Sequence, residues 1–194
     1  MENVTGLILA GGRGERMGGA DKGWVMVDGR PLIVSVVERF APQVGHLLIS
    51  ANRNIERYAA LGEVVEDDTA HVNGERFAGP LIGVLSALQR ARTGWLAIVP
   101  CDAPNLPGDL VQRLASAMLD TDAIAACARS CGQLQPTFAV VKTSTVDQLA
   151  SSIVSGERAM HRWLESLNAI AVTFDDAQAF INVNTIPDAD QRVA

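Results

Sequence analysis

Val4-Thr5-Gly6-Leu7-Ile8-Leu9-Ala10-Gly11-Gly12-Arg13-Gly14-Glu15-Arg16-Met17-Gly18-Gly19-Ala20-Asp21-Lys22-Gly23 is the stretch that decides the fold. Its opening, residues 4–10, is a short apolar run that suits a strand buried on both faces, as strands of a parallel sheet are. Residues 9–23 then hold six glycines and three cations in a protein of net charge −6. Glycines let a backbone approach an anion closely and turn its N–H groups toward the oxygens. Arg16 and Lys22 can neutralise charge that develops on a transferring phosphoryl group. A surface loop would share the glycine content. The position directly after a buried strand favours a polyphosphate site.

Outward from this stretch, strands alternate with helices. Pro31 opens a helix whose Leu32, Val36, Val37 and Phe40 share one face before Pro42 stops it. Residues 46–51 read as a strand, 55–61 as a helix closed by Gly62, and 63–66 as a strand. A polar loop over 67–79 precedes a helix over 80–92, which has proline at its start and Gly94 beyond its end. Another apolar strand, 95–99, runs into Pro100-Cys101-Asp102, and a helix follows over 107–119. Segments 123–128 and 137–141 flank a turn around Gly132 and predict an antiparallel excursion. Helices over 143–154 and 157–167 and a strand over 170–174 complete the series. The pattern predicts an α/β fold: a three-layer α/β/α sandwich around a Rossmann-like, mostly parallel mixed sheet. Ligands of such sheets lie beyond the strand C-termini. The rule places the loop after Ala10, Ser50 to Asn52, Asp67 and Asp102 in one crevice.

The 194 residues, 48% of them hydrophobic, are enough for one sizeable core, so a single domain over 1–194 is expected. No basic stretch followed by an apolar leader opens the chain, and no apolar run approaches the roughly 20 residues that span a bilayer. A cytoplasmic protein without membrane contact is expected. Cys101, Cys127 and Cys131 form no dense framework, which fits a reducing compartment without disulfides. The net charge of −6 and pI near 5.0 argue against a nucleic-acid partner, since phosphate backbones select basic surfaces.

Two familiar phosphate loops fail on this sequence. A P-loop would place Ser or Thr after its lysine, but Gly23 follows Lys22. A dinucleotide fingerprint would continue Gly12-x-Gly14 with glycine or alanine at Met17, and would close the second strand with an acid where Ser50 to Asn52 stand. The whole pattern instead resembles the molybdenum cofactor guanylyltransferase family, through Leu9-Ala10-Gly11-Gly12-x-x-x-Arg16-Met17-Gly18-Gly19-x-Asp21-Lys22. The likeness continues at Glu66-Asp67, Gly79-Pro80-Leu81-x-Gly83, Pro100-Cys101-Asp102-x-Pro104, Pro136-Thr137 and Asn182-Val183-Asn184-Thr185, nearly the full chain. The resemblance implies the glycosyltransferase-like nucleotidyltransferase fold, which nucleotide-diphospho-sugar transferases share. It also implies transfer of GMP from GTP to the terminal phosphate of molybdenum-molybdopterin, with release of pyrophosphate. Gly11-Gly12 look like the guanylyl branch, since cytidylyl relatives typically carry Leu-Ala-Ala-Gly.

By that resemblance, Leu9, Ala10, Gly11 and Gly12 cradle the nucleotide and Lys22 its phosphates. Ser50, Asn52 and Asp67 meet the guanine and ribose, Asp102 holds Mg²⁺, and Asn182 and Asn184 contact the pterin. Transient contacts with a molybdenum-insertion protein and with recipient molybdoenzymes are implied as well. The residues read alone leave alternatives open: Asp102 as a carboxylate capping the Pro104 turn, Asp67 as a solvated acid, Asn182 and Asn184 as turn formers. A strand-end carboxylate does suit Mg²⁺, which prefers one or two carboxylates with phosphate oxygens and water. A phosphate monoester acceptor, with a second pKa of about 6, needs little general base, so His46, His71 and His161 read as structural or solvated. Cys127-x-x-x-Cys131 lacks the second pair that zinc demands, and Trp95 and Trp163 read as packing. Ser50 stands where several relatives have asparagine, and Gln135 where histidine is common. The 67–79 loop also looks long. Competing readings are a cytidylyl or sugar-phosphate nucleotidyltransferase of the same fold, and a non-catalytic GTP-binding module.

Overall fold

A computed structural model of the chain describes residues 2–12, 21–68 and 79–183. Strands β1 (Val4–Leu9), β4 (His46–Ser50), β5 (Glu63–Val65), β6 (Trp95–Pro100), β7 (Ala125–Ser130), β8 (Gln133–Lys142) and β9 (Ile170–Phe174) form one sheet in the order β5-β4-β1-β6-β8-β7-β9. Every pairing is parallel except those of β8, which runs antiparallel to both β6 and β7. The expected mixed sheet is therefore present, with the antiparallel strand where the turn at Gly132 places it. Between β1 and β4 lies a two-stranded hairpin, β2 (Met26–Val27) and β3 (Arg30–Pro31).

The helices are α1 (Leu32–Phe40), α2 (Ile55–Ala59), α3 (Pro80–Arg90), α4 (Leu110–Thr121), α5 (Val146–Val154) and α6 (Met160–Ser166). Alternation along the buried strands sends neighbouring side chains to opposite faces of the sheet. Ile8 and Ile49 pack with Ile33, Val36 and Phe40 of α1 and Leu110, Leu114 and Met118 of α4. Leu7 and Leu48 pack on the other face with Leu81, Leu85 and Leu88 of α3, Leu149 and Ile153 of α5, and Trp163 of α6. Two apolar layers thus cover one sheet, which is why β1, β4 and β6 are apolar at both parities. Among the described residues, no helix is long and apolar enough to cross a membrane.

Several boundaries differ from the sequence reading, three of them with a clear local cause. Pro31 is extended (φ −62, ψ 138) and caps α1 from outside, because it belongs to the hairpin. Its turn, Asp28 (φ 49) and Gly29 (φ 75), takes the left-handed conformations that join two twisted strands in two residues. Helix α4 starts at Leu110 instead of residue 107, after a turn in which Leu110 N–H donates to the Pro107 carbonyl at 3.3 Å. Strand β8 starts at Gln133, four residues early, and accommodates Pro136 in a bulge: Cys127 pairs with Ala139 but Ala128 with Gln135. A bulge is one of the few places where a strand tolerates proline.

Candidate active site

Strand register builds the site. Leu9, the last residue of β1, lies opposite both Ser50 of β4 and Pro100 of β6, and Ser50 lies opposite Val65 of β5. Four parallel strands therefore end level, and the next residues of each leave the sheet at the same edge. Gly11 and Gly12, Asn52, Asp67 and Asp102 emerge there together. The backbone holds the edge with cross-links past the strand ends: Ala10 N–H to Ser50 carbonyl at 2.9 Å, Ala51 N–H to Val65 carbonyl at 3.1 Å, and Cys101 N–H to Leu9 carbonyl at 3.1 Å.

A cleft of about 360 Å³ opens at this edge. Of the residues read from the sequence, Leu9, Ala10, Gly11, Gly12, Lys22, Ser50, Asp67, Asp102 and Asn182 line it. Asn52 stands just behind, bonded to Asp67. Arg16 and Asn184 lie outside the described residues. Gly83, Cys101 and Thr137 are lining residues for which the sequence reading gave no role. For Gly83 and Thr137 the signal was their place inside quoted motifs. For Cys101 it was adjacency to Asp102.

At the floor, Lys22 Nζ lies 3.1 Å from Asp102 Oδ2. Asp102 is 6% exposed, and its carbonyl accepts the Val183 N–H at 2.9 Å, which brings the Asn182 segment against the end of β6. Cation and anion meet at one point, so an incoming anion has a charge partner in Lys22 and a divalent cation one in Asp102. A single strand-end carboxylate fits Mg²⁺ shared with phosphate oxygens and water, the usual form of its sites. Cys101 is buried, and burial followed by the neighbouring Asp102 charge pushes its thiol well above the ordinary range, so it is an inert wall here.

At the other end, Asn52 and Asp67 bond reciprocally: Asn52 Nδ2 donates to Asp67 Oδ2 at 2.7 Å, and Asp67 N–H donates to Asn52 Oδ1 at 2.9 Å. The carboxylate is held in one orientation. Burial raises the Asp67 pKa, opposed by the Asn52 hydrogen bond. Glycines make the close approach possible. A Cβ on Gly11 would stand 3.2 Å from Asn52 Nδ2 and 3.5 Å from Ser50 Oγ. A Cβ on Gly83, in the first turns of α3, would stand 2.3 Å from Ser50 Oγ.

The other expectations find places away from the cleft. Trp163 is buried in the apolar layer on one face of the sheet and Trp95 partly buried against the layer on the other. His46 pairs with Glu63 at 2.9 Å on the surface, His161 is exposed on α6, and His71 lies outside the described residues. Cys127 is buried and Cys131 exposed, both free thiols.

Four level parallel strand ends thus gather a glycine-rich turn, a lysine–aspartate pair and a clamped acid at one edge, the parts of a nucleotide-phosphate site. Residues 6–171 match the family model described as MobA-like NTP transferase domain. The chain is 45% identical over 193 residues to the molybdenum cofactor guanylyltransferase of Bordetella petrii, covering 97% of this chain and 96% of that protein. It is 43% identical over 190 residues to the molybdenum cofactor guanylyltransferase of Cupriavidus metallidurans, covering 95% and 92%. Among solved structures, molybdopterin-guanine dinucleotide biosynthesis protein A from Archaeoglobus fulgidus superposes with a TM-score of 0.76 at 24% identity, covering 96% of this chain and 95% of that one. A 4-diphosphocytidyl-2C-methyl-D-erythritol synthase from Anaerococcus prevotii superposes with a TM-score of 0.75 at 10% identity, over 97% and 93%; these two likenesses establish the fold. The chain belongs to the molybdenum cofactor guanylyltransferase family.

Proposed function

We propose that this chain, as one nucleotidyltransferase domain, transfers GMP from GTP to the terminal phosphate of molybdenum-molybdopterin in the cytoplasm. An oxygen of the acceptor's phosphate attacks the α-phosphorus, the bond to the β-phosphate breaks, and pyrophosphate leaves with the electron pair. The monoester is mostly dianionic at neutral pH, its second pKa being about 6, so no side chain has to remove a proton first. The work left for the protein is positioning and charge.

Gly11 and Gly12 let the backbone after β1 lie against the nucleotide, and Lys22 neutralises the triphosphate. Asp102 would hold Mg²⁺, which when bound offsets charge on the phosphates. Asp67, kept in place by Asn52, accepts hydrogen bonds from the guanosine, with Ser50 beside it. The Leu-Ala-Gly-Gly form of the guanylyl branch fits these neighbours, since a methyl at Gly11 would crowd the Asn52 amide. Arg16 would add a second cation. Asn182 lines the side of the cleft next to β8, where the pterin would lie, with Asn184 two residues on. Delivery of the product implies transient contacts with a molybdenum-insertion protein and recipient enzymes.

The observation that carries this reading is the level ending of four parallel strands, which unites residues 11, 67 and 102, with Lys22 joined to them through Asp102. Incubation with GTP, Mg²⁺ and molybdopterin is expected to release pyrophosphate, and Asp102→Ala to reduce kcat/KM by about a thousandfold or more, the scale of losing a main electrostatic stabiliser. The variant's unfolding midpoint should stay within a few degrees. Pyrophosphate from CTP and none from GTP would overturn the branch. Full activity in Asp102→Ala would overturn the metal role.

A further inference from the structure

Asp21 precedes Lys22 and has no place in the reaction as described, yet its side chain is only 7% exposed and is ringed by donors from the start of α2. Tyr58 Oη donates to Asp21 Oδ1 at 2.5 Å, Asn54 Nδ2 donates to Asp21 Oδ2 at 2.8 Å, and Arg53 Nε lies 3.8 Å from the same oxygen. The same Arg53 guanidinium donates through Nη2 to the Gly12 carbonyl at 3.1 Å. One side chain thus touches the residue at each end of the segment 13–20.

The rest of the arrangement holds that geometry rigid. The Asp21 carbonyl accepts the Trp24 N–H at 3.0 Å, so Asp21 caps the single 3₁₀ turn Lys22–Trp24. Tyr58 is fully buried, and its ring packs on Trp24 at 5.2 Å, with the Arg57 guanidinium 3.8 Å above the Trp24 ring. Gly23 is needed because a Cβ there would stand 2.6 Å from Tyr58 Oη. Asn54 sits at φ 51, a conformation asparagine accepts more readily than most residues, and this aims its amide back at Asp21. Burial, then the hydrogen bond to Asp21, raises the Tyr58 pKa, so the phenol remains a donor at working pH. Arg53, Asn54 and Tyr58 do not line the cleft.

We infer that Arg53, Asn54, Tyr58 and Asp21 form a brace that fixes the ends of the glycine-rich segment and aims the Lys22 ammonium at the triphosphate. They are positioning residues, acting through Lys22, and the inference rests on the nucleotide-binding reading above. The chemistry is that of a buried carboxylate used as an anchor: two hydrogen bonds and a guanidinium at the start of one helix hold it, and the neighbouring lysine inherits a fixed direction. Lys22 has a flexible, strongly hydrated side chain; its ammonium meets Asp102 at 3.1 Å, and the brace fixes the backbone from which it reaches that point.

The test is calorimetric titration of GTP with Mg²⁺ into wild type, Tyr58→Phe, Lys22→Ala and the double variant. Tyr58→Phe keeps the ring against Trp24 and removes only the hydroxyl. It is expected to weaken GTP about tenfold, and Lys22→Ala about a hundredfold. If Tyr58 acts through Lys22, the double variant binds within twofold of Lys22→Ala alone. Losses that multiply would overturn the brace, as would unchanged binding by Tyr58→Phe. Arg53→Gln, at a side chain 28% exposed, provides the same cycle if the tyrosine variant does not fold. Equal binding by wild type and Lys22→Ala would instead overturn the nucleotide reading, and the brace with it, a result distinct from failure of the tyrosine cycle alone.

Discussion

Gly83→Ala tests the packing of the site most directly, because an alanine in a helix normally helps. Gly83 is the fourth residue of α3, where replacing glycine by alanine gains about 1 kcal/mol from propensity alone. Here the new Cβ would stand 2.3 Å from Ser50 Oγ, 3.0 Å from Ser50 Cβ and 3.5 Å from Asp67 Oδ1. Rotating the hydroxyl relieves the first contact only. The second is fixed to the backbone of β4, and Ser50 is 2% exposed, so α3 has to move away from the sheet by a few tenths of an ångström. Overpacking of this kind costs about 1–3 kcal/mol. Set against the helix gain, the variant should be destabilised by about 1 kcal/mol, or about 2–4 °C in Tm for a chain of this size.

A thermodynamic cycle isolates the cause. In a Ser50→Gly background both close contacts vanish, so Gly83→Ala should become stabilising by about 1 kcal/mol. The difference between the two backgrounds, about 2 kcal/mol, is the coupling to be measured by urea unfolding. Calorimetry should also find GTP binding weakened at least tenfold in the single variant, since the displaced Ser50 and the methyl occupy the nucleoside end of the cleft. A single variant more stable than wild type, or a cycle that adds without coupling, would refute the close approach of α3 to β4.

Asp67→Asn is expected to raise the Tm at pH 7 while weakening GTP. Burial raises the Asp67 pKa, so its stabilising contribution is complete below the ordinary value of 3.8 and is lost as pH rises through the folded value. The ionised acid therefore weighs against the fold at neutral pH, and the Tm advantage of asparagine should disappear near pH 3. Glu157→Gln should speed amide exchange at the start of α6 at pH 6. The Arg162 guanidinium, then the Ala159 and Arg158 N–H groups, hold Glu157 down to about 2, so its support is present above 4.5 and fades as pH falls toward 2, where the two proteins should exchange alike. Cys131→Asn should raise the urea midpoint, by about 0.5 kcal/mol of stability, because Cys131 sits at φ 50 beside Gly132 at φ 75 and asparagine–glycine is the preferred pair for such a hairpin turn.

What the sequence disclosed, and what it withheld, follows from range. The strands β1, β4 and β6 are buried on both faces, and an apolar run ending in Gly11, Ala51 or Cys101 marks such a strand to within a residue or two. The site edge was legible for the same reason, since the strand-end rule needs only strand positions. The β2–β3 hairpin was missed because two-residue strands have no period, although Asp28-Gly29 carried the turn signal. Pro136 was read as lying outside a strand because a bulge depends on the partner strand, which no local window contains. Arg53, Asn54 and Tyr58 were invisible as functional residues: they read as an ordinary loop and helix until Asp21, over thirty residues earlier in the chain, is placed against them.

The antiparallel strand explains the shape of the cleft. On the β4–β5 side Asn52 and Asp67 stand close to the sheet edge, two residues past the ends of their strands. On the other side β8 runs the opposite way to β6, so its first half lies beyond the level at which the parallel strands stop. The β7–β8 hairpin therefore forms a wall. Ile98 of β6 is still paired with Ala139, and the three residues before it, Pro136 to Phe138, make the bulge. Thr137 faces the cleft from that bulge, while Phe138 turns into the core against Phe180 at 4.9 Å, itself against Phe174 at 5.3 Å. Phe180 is two residues before Asn182. The aromatic stack thus fastens the wall bearing Thr137 to the segment bearing Asn182, and Val183 ties that segment to Asp102 at the floor. A low edge suits a flat nucleoside and a raised wall a bulkier second substrate. If the nucleoside lies over β4–β5 as proposed, the acceptor would reach the α-phosphorus from the side that β8 and residues 181–183 build among the described residues.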